Sequence, residues 1–337
     1  VGWWKNGYPE YFAKVLNAPS FIGIRVFVDG EALDLATCKV IAFQRVLNMK
    51  EGTLNRSFTV EMSSGKKIEV SASRFLSMAA PETGAVHYAV RTVKDAVDIR
   101  FVPYLDGNVV NEDANWDEIF WDQVSHEVQG NEGYLVARTK KTSLETAVGM
   151  FIKTFVDGNE TTTALQNTDR TGYVEASGTV HLEKNSTLDI YKYVCILSSL
   201  YHSGGAIRSD ARQVLKKAVE TGYDAMLQAH VAKWAEIWEH SDIIVEGDEE
   251  AQQGIRFNIF HLNQTYRGDD PRLNIGPKGF TGEKYGGSTY WDTEAFCIPF
   301  FLCTAPASVT RNLLLYRYKH LEKAIEKARK SMEKAAS

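Results

Sequence analysis

Trp291 and Asp292, with Tyr290 before them and Glu294 shortly after, place an indole and two carboxylates within four residues. That grouping suits a sugar. A pyranose packs its C–H groups on an aromatic face and donates its outward hydroxyls to a charged acceptor. The dipeptide recurs as Trp116-Asp117 and Trp121-Asp122, but alternation across residues 115–122 reads as an ordinary strand with one aromatic face. Position sets Trp291 and Asp292 apart. They follow a glycine-laden stretch, residues 276–288, and lead directly into an apolar segment, and functional residues concentrate on loops held by a rigid scaffold.

The glycine stretch also invites a phosphate-loop reading, which its spacing excludes. Glu283 stands between Gly282 and Lys284, and Tyr285 follows where Ser or Thr is required. On motif chemistry alone, a binding loop and a surface loop whose glycines only relieve backbone strain are level. Asp292 and Glu294 lie too close in sequence to be taken as acid and base across one sugar ring. Asp292 is therefore read as a hydroxyl acceptor, and Glu294 as a helix-start or buried-pair residue, with sugar binding its lesser role. Tyr290 and Lys278 complete the candidate set, Lys278 as an anion contact or a solvated side chain. Arg256, beside Phe257 on a helical stretch, is expected in a structural ion pair. No metal site is expected: His126-Glu127 opens like a zinc-protease helix but lacks the second histidine, and the eight histidines are otherwise dispersed.

A net charge of −5 and the absence of any basic block argue against nucleic acid or an anionic membrane as partner. No apolar run is long enough to cross a bilayer, and residue 1 opens neither a basic start nor an apolar signal core. Cys38, Cys195, Cys297 and Cys303 are too scattered for a disulfide framework, which fits a reducing cytoplasm. At 337 residues the chain can form more than one domain.

The candidate loop must be held by elements on either side. Turn-punctuated strands are predicted at residues 22–28, 56–62, 67–72, 87–93, 97–104, 118–128, 134–139, 147–156, 173–182 and 186–198. Asp29-Gly30 and Ser64-Gly65 carry the strongest hairpin signals. So many strands with so little helical periodicity predict a large antiparallel β-sandwich over residues 1–202. The pattern then changes. Tyr223, Met226, Leu227, His230, Trp234 and Trp238 fall at helical intervals, predicting a helical linker over 203–247, with Trp234 and Trp238 packing it onto the sandwich. A strand-like Ile243-Ile244-Val245 closes the linker. Helices are predicted at 251–266, at 293–302 with a kink at Pro299, and at 308–330. Leu313, Leu314, Tyr318, Leu321, Ala324 and Ile325 form a stripe predicted to be buried, with no obvious partner in the sequence. The expected reading is a chain truncated at both ends, whose unmatched apolar stripe favours self-association.

Residues 251–260, the loop 274–288 and residues 290–301 resemble the start of the catalytic domain of glycoside hydrolase family 65, on the side of its maltose-phosphorolysing members. Residues 3–19, 45–54, 74–78 and 193–199 are similar to that family's N-terminal sandwich, so the likeness runs along essentially the whole chain. It implies a β-sandwich, a helical linker and, over residues 248–337, the first part of an (α/α)6 barrel left incomplete. It also implies inverting phosphorolysis of maltose to β-glucose 1-phosphate and glucose, with inorganic phosphate as co-substrate and no cofactor. Relatives act on trehalose, kojibiose or nigerose; residues 285–290 here are similar to the maltose enzymes, whereas the trehalose and kojibiose enzymes tend to carry Arg-Gly-His there. By position, Trp291 and Asp292 would line the pocket for the non-reducing glucose. The family's general acid is a glutamate expected beyond residue 337, and its sandwich contributes to homodimer contacts, so this chain alone is expected to be inactive. Two other readings stand beside this one: a non-catalytic carbohydrate-binding sandwich, and a structural or assembly domain.

Overall fold

The computed structural model describes residues 2–3, 12–13, 15–111, 119–276, 279 and 289–336. The first strands are β1 (Gly2–Trp3), β2 (Phe12–Ala13), β3 (Ile24–Val28), β4 (Glu31–Ala32) and β5 (Lys39–Asn48). They are followed by β6 (Thr53–Glu61), β7 (Lys67–Leu76), β8 (Thr83–Thr92) and β9 (Val97–Asp106). Next come β10 (Trp121–Gln129), β11 (Glu132–Thr139), β12 (Glu145–Val156) and the short β13 (Asn159–Glu160). The series closes with β14 (Gln166–Arg170), β15 (Tyr173–Leu182) and β16 (Thr187–Ser198). The helices are α1 (Ile207–Thr221), α2 (Tyr223–Ser241), α3 (Glu249–Thr265), α4 (Ile298–Thr304) and α5 (Ala307–Ala336). Backbone packing divides the chain inside α2, into one unit carrying Leu16–Trp234 and another carrying Ala235–Ser337.

The first unit is an antiparallel sandwich. Its large sheet runs β10-β11-β12-β16-β8-β7-β6-β5, with β13 paired to β12, and its small sheet runs β14-β15-β9-β3-β4. Alternation along each strand sends one row inward: Val97, Ile99, Phe101 and Leu105 of β9 meet Val60, Ile68, Val90, Val148 and Leu188 of the large sheet. The turn at Asp29-Gly30 has both residues at positive φ, 49° and 87°, which suits a tight hairpin between twisted strands. Strands β5 and β14, absent from the sequence prediction, occupy sheet edges. On β5, Ile41, Phe43 and Val46 are exposed, so the alternation is blurred.

Helices α1 and α2 cover the outer face of the large sheet. Ile207, Ala211 and Leu215 of α1 and Met226 of α2 pack on Tyr134, Ala147, Tyr193, Cys195 and Leu197. Trp234 is 1% exposed, as expected of a core residue, whereas Trp238 is only half-buried. His230 sits beside Trp234 with its tautomer set by the backbone. Its Nδ1 accepts from the Met78 amide at 3.0 Å, so Nε2 carries the proton that goes to the Gly52 carbonyl at 3.1 Å. Burial holds the His230 pKa below its ordinary value. Gly52 has φ +68°, and a Cβ there would lie 2.0 Å from the indole nitrogen of Trp234, so only glycine fits.

A buried lysine crosses the sandwich. Lys192 of β16 is fully buried, and its Nζ donates to the carbonyls of Gly23 at 2.9 Å and Tyr104 at 2.7 Å. Burial pushes its pKa well below the ordinary lysine value. Nothing in the strand pattern announces it, because on β16 it occupies an inward position among apolar neighbours.

His202, in the connection from β16 to α1, donates or accepts at both ring nitrogens: Nδ1 lies 2.8 Å from Asp210 and Nε2 2.7 Å from Glu82. Burial opposes the charged ring, but hydrogen bonds to Asp210 and then Glu82 outweigh it and raise the pKa above its ordinary value. A raised folded-state pKa stabilises the fold fully below the unfolded value, about 6.5, and the contribution is lost as pH rises through the folded pKa. Urea unfolding of a His202→Asn variant should therefore lose stability relative to the parent chain near pH 6 and converge on it near pH 9. An equal loss at both pH values would refute a charged His202.

Two expectations for the second unit are corrected. Ile243-Ile244-Val245 forms no strand among the described residues. The Gln252 side chain takes the place of a strand partner, accepting from Val245 N and donating to Ile243 O, both at 2.8 Å. The stripe on α5, expected to stay short of partners, departs from that at Leu313, which is fully enclosed with Tyr266, Ile275, Phe301 and Val309, while Leu314, Tyr318, Leu321 and Ile325 are exposed as a face without partners would be. That small cluster closes on the first turns of α5, and nothing among the described residues covers the later ones. Elsewhere Arg256 forms the expected ion pair, a forked contact to Asp242 at 2.8 and 2.7 Å. Asp248 caps α3 by accepting from Ala251 N at 2.9 Å.

Candidate functional site

Pro299 lacks an amide hydrogen, so an α-helical ladder cannot run unbroken through the apolar segment after Asp292. The chain answers with a π-helical turn over Thr293–Cys297, in which Ile298 N bonds back five residues to Thr293 O, before α4 resumes regular geometry. The predicted kink at Pro299 thus takes the form of a widened turn preceding it. Such widened turns recur at functional sites.

Three contacts anchor this turn. Thr293 is buried, and its Oγ1 donates to the Ile275 carbonyl at 2.9 Å. Arg317 of α5 reaches Glu294 through Nε to Oε1 at 2.6 Å and Nη2 to Oε2 at 3.1 Å. The same guanidinium donates to Thr289 Oγ1 at 3.0 Å and to the Tyr290 carbonyl. Glu294 is therefore the paired structural residue that its position foretold, and it orients the segment through a two-point charge-assisted bond. Arg317 was not singled out in the sequence. Its signal was present: it lies four residues after Leu313 and four before Leu321, a cation within a stripe of leucines.

With its neighbours pinned, Trp291 projects outward at 72% exposure and lies near Phe296, ring centroids 6.4 Å apart. Asp292 is half-buried at the first helical position, and its carboxylate makes no hydrogen bond or ion pair among the described residues. The Cys297 thiol registers the negative charge nearby, its pKa raised first by burial and then by Asp292 and Glu294. An open indole beside a disengaged carboxylate, both on a braced turn, can offer a stacking face and a hydroxyl acceptor. Tyr290 is exposed and contributes its carbonyl to Arg317. Lys278 lies outside the described residues, as do Trp116 and most of the glycine stretch. Trp121 is a core residue of β10, its Nε1 donating to Asn17 O at 2.9 Å. His126 also lies on that strand, so the protease-like sequence has no helix on which to act.

A large antiparallel sandwich followed by helices, with a braced, aromatic-acidic turn between the third and fourth of them, is the architecture of a carbohydrate-active enzyme family. Residues 1–237 match the glycosyl hydrolase family 65 N-terminal domain and residues 256–337 match that family's central catalytic domain. The chain belongs to glycosyl hydrolase family 65. It is 44% identical over 336 residues to the maltose phosphorylase of Bacillus subtilis, covering 100% of this chain and 44% of that protein. It is 31% identical to the α,α-trehalose phosphorylase of Thermoanaerobacter brockii, covering 98% of this chain and 44% of the relative. A solved chain from the human microbiome, carrying a provisional title of kojibiose phosphorylase, superposes with a TM-score of 0.83 at 27% identity. It is matched over 92% of this chain and 40% of its own length. The chain thus spans less than half the length of these relatives.

Proposed function

We propose that this chain is part of an inverting disaccharide phosphorylase that converts maltose and phosphate to β-glucose 1-phosphate and glucose. The observation that carries the reading is the 44% identity to a protein named maltose phosphorylase along the whole chain, against 31% to one named for trehalose. Phosphate attacks the anomeric carbon from the face opposite the leaving oxygen, the glycosidic C–O bond breaks, and an acid protonates the departing glucose. Because the phosphate dianion is already nucleophilic, no second carboxylate is needed to activate water. Trp291 stacks on the non-reducing glucose and Asp292 accepts its hydroxyls, in keeping with their exposed and disengaged side chains. Glu294 acts through Arg317 as a positioning residue. No residue of this chain takes the acid role, and the protein works as a cytoplasmic homodimer without cofactor.

The test is an assay of the full-length protein with phosphate and each of maltose, trehalose, kojibiose and nigerose. Maltose should be preferred by on the order of a hundredfold in kcat/KM. Proton NMR should show the β anomer of glucose 1-phosphate as the first product. Preference for another disaccharide, or an α product, would overturn the assignment. The 337-residue chain alone should release glucose at background, since general acid help is normally worth about 10²–10⁴-fold.

A further inference from the structure

A cavity of about 350 Å³, lined from both sheets of the sandwich, takes in Arg45, Arg56 and Arg74. Strand register places the three on adjacent strands. Arg45 of β5 pairs directly with Arg56 of β6, and Arg74 of β7 stands one row away opposite Leu54. Like charges placed directly across a ladder destabilise a sheet, and a chain of net charge −5 has carboxylates to spare. Yet no Asp or Glu lines the cavity, and among the described residues none forms an ion pair with these three arginines. Arg45 and Arg74 keep an exposed edge while Arg56 is half-buried, and partial burial, followed by the guanidiniums of Arg56 and Arg45, lowers the Arg74 pKa. The remaining wall is of a different kind. Tyr88, which lies against Arg56, and Tyr104 contribute aromatic rings with hydroxyls, and Ser73 adds a further polar group.

We propose that this cavity is a binding site for a sugar phosphate monoester, separate from the Trp291 and Asp292 turn. Three forked guanidiniums match a phosphate dianion in charge and geometry. The tyrosines and serine match a pyranose, and the volume falls in the range of small-molecule pockets. A lone carboxylate would leave two of the three charges uncompensated.

Isothermal titration of the 337-residue chain tests this, with glucose 1-phosphate and glucose 6-phosphate as probes and inorganic phosphate, sulfate and glucose as comparators. Saturable binding of one of the esters, at least about tenfold tighter than phosphate or sulfate, is the expected result. An Arg56→Gln, Arg74→Gln double variant should weaken it by about tenfold or more, while Asp292→Ala in the same chain leaves it unchanged. Independently of any variant, the ester should protect Arg45, Arg56 and Arg74 of the parent chain from phenylglyoxal, mapped by peptide mass, and glucose should not. Equal binding of ester, phosphate and sulfate would reduce the cavity to an adventitious anion site and overturn the proposal. Binding abolished by Asp292→Ala would assign it to the candidate turn instead. Absence of both binding and protection would mean that the arginines await an acidic polypeptide surface, which also overturns it.

Discussion

In the full-length protein, Asp292→Ala should lower kcat/KM for maltose phosphorolysis by about a hundredfold or more, with little change in melting temperature. The two halves of that expectation have separate grounds. A site built to accept sugar hydroxyls leaves them unpaired in a desolvated pocket when its carboxylate is removed, and the loss falls on the bound sugar. The fold loses little because Asp292 makes no hydrogen bond or ion pair among the described residues and supplies no side-chain cap to its helix. Glu294→Ala is the informative contrast. It strips Arg317 of its carboxylate, so it should reduce activity and melting temperature together. Near wild-type turnover by the Asp292 variant would sink the hydroxyl-acceptor role. A collapse in stability would reassign Asp292 to the scaffold.

Trp234→Ala carries the largest expected loss of stability, about 3–5 kcal/mol for deleting a fully buried indole. Since native domains are stable by only about 5–15 kcal/mol, much of the sandwich unit's stability would go. The indole is enclosed on one side by Gly52, whose positive φ lets the backbone press against the ring, and lies next to His230. The surroundings are held by hydrogen bonds from His230 to Met78 and Gly52, so they cannot relax far into the space left behind. Urea unfolding followed by far-UV circular dichroism measures the loss, and Trp238→Ala, at a half-buried position, should cost distinctly less. A loss under about 1 kcal/mol for Trp234→Ala would show that α2 does not depend on this contact to seat on the sandwich.

Where a residue's role follows from periodicity or a local turn, the chain could be read directly. Alternation and turn chemistry forecast most strands of the sandwich, and three-and-four spacing forecast α2, α3 and α5. Glu294 was legible as a paired residue because a carboxylate early in a helix beside an apolar segment has few other uses. The misreadings share one physical origin. Ile243-Ile244-Val245 has strand composition, but Gln252 satisfies its backbone from a neighbouring helix, and side-chain substitution for a ladder leaves no periodic trace. Leu313 shares its stripe with Leu314, Tyr318 and Leu321, yet which of them is covered depends on elements elsewhere.

Local patterning along 337 residues therefore determined the order of elements, the place where strands give way to helices, and the pairing of an indole with a carboxylate at Trp291 and Asp292. Tertiary structure alone decided which cations meet and which stand apart. Lys192 bridges two sheets through the carbonyls of Gly23 and Tyr104, residues far from it in the chain. Arg317 braces the candidate turn from a helix more than twenty residues on. Arg45, Arg56 and Arg74 come together only because three strands pair in one register. Sequence spacing reports neighbours along a strand or around a helix, whereas register and packing, set by burial of the whole core, choose partners across the fold.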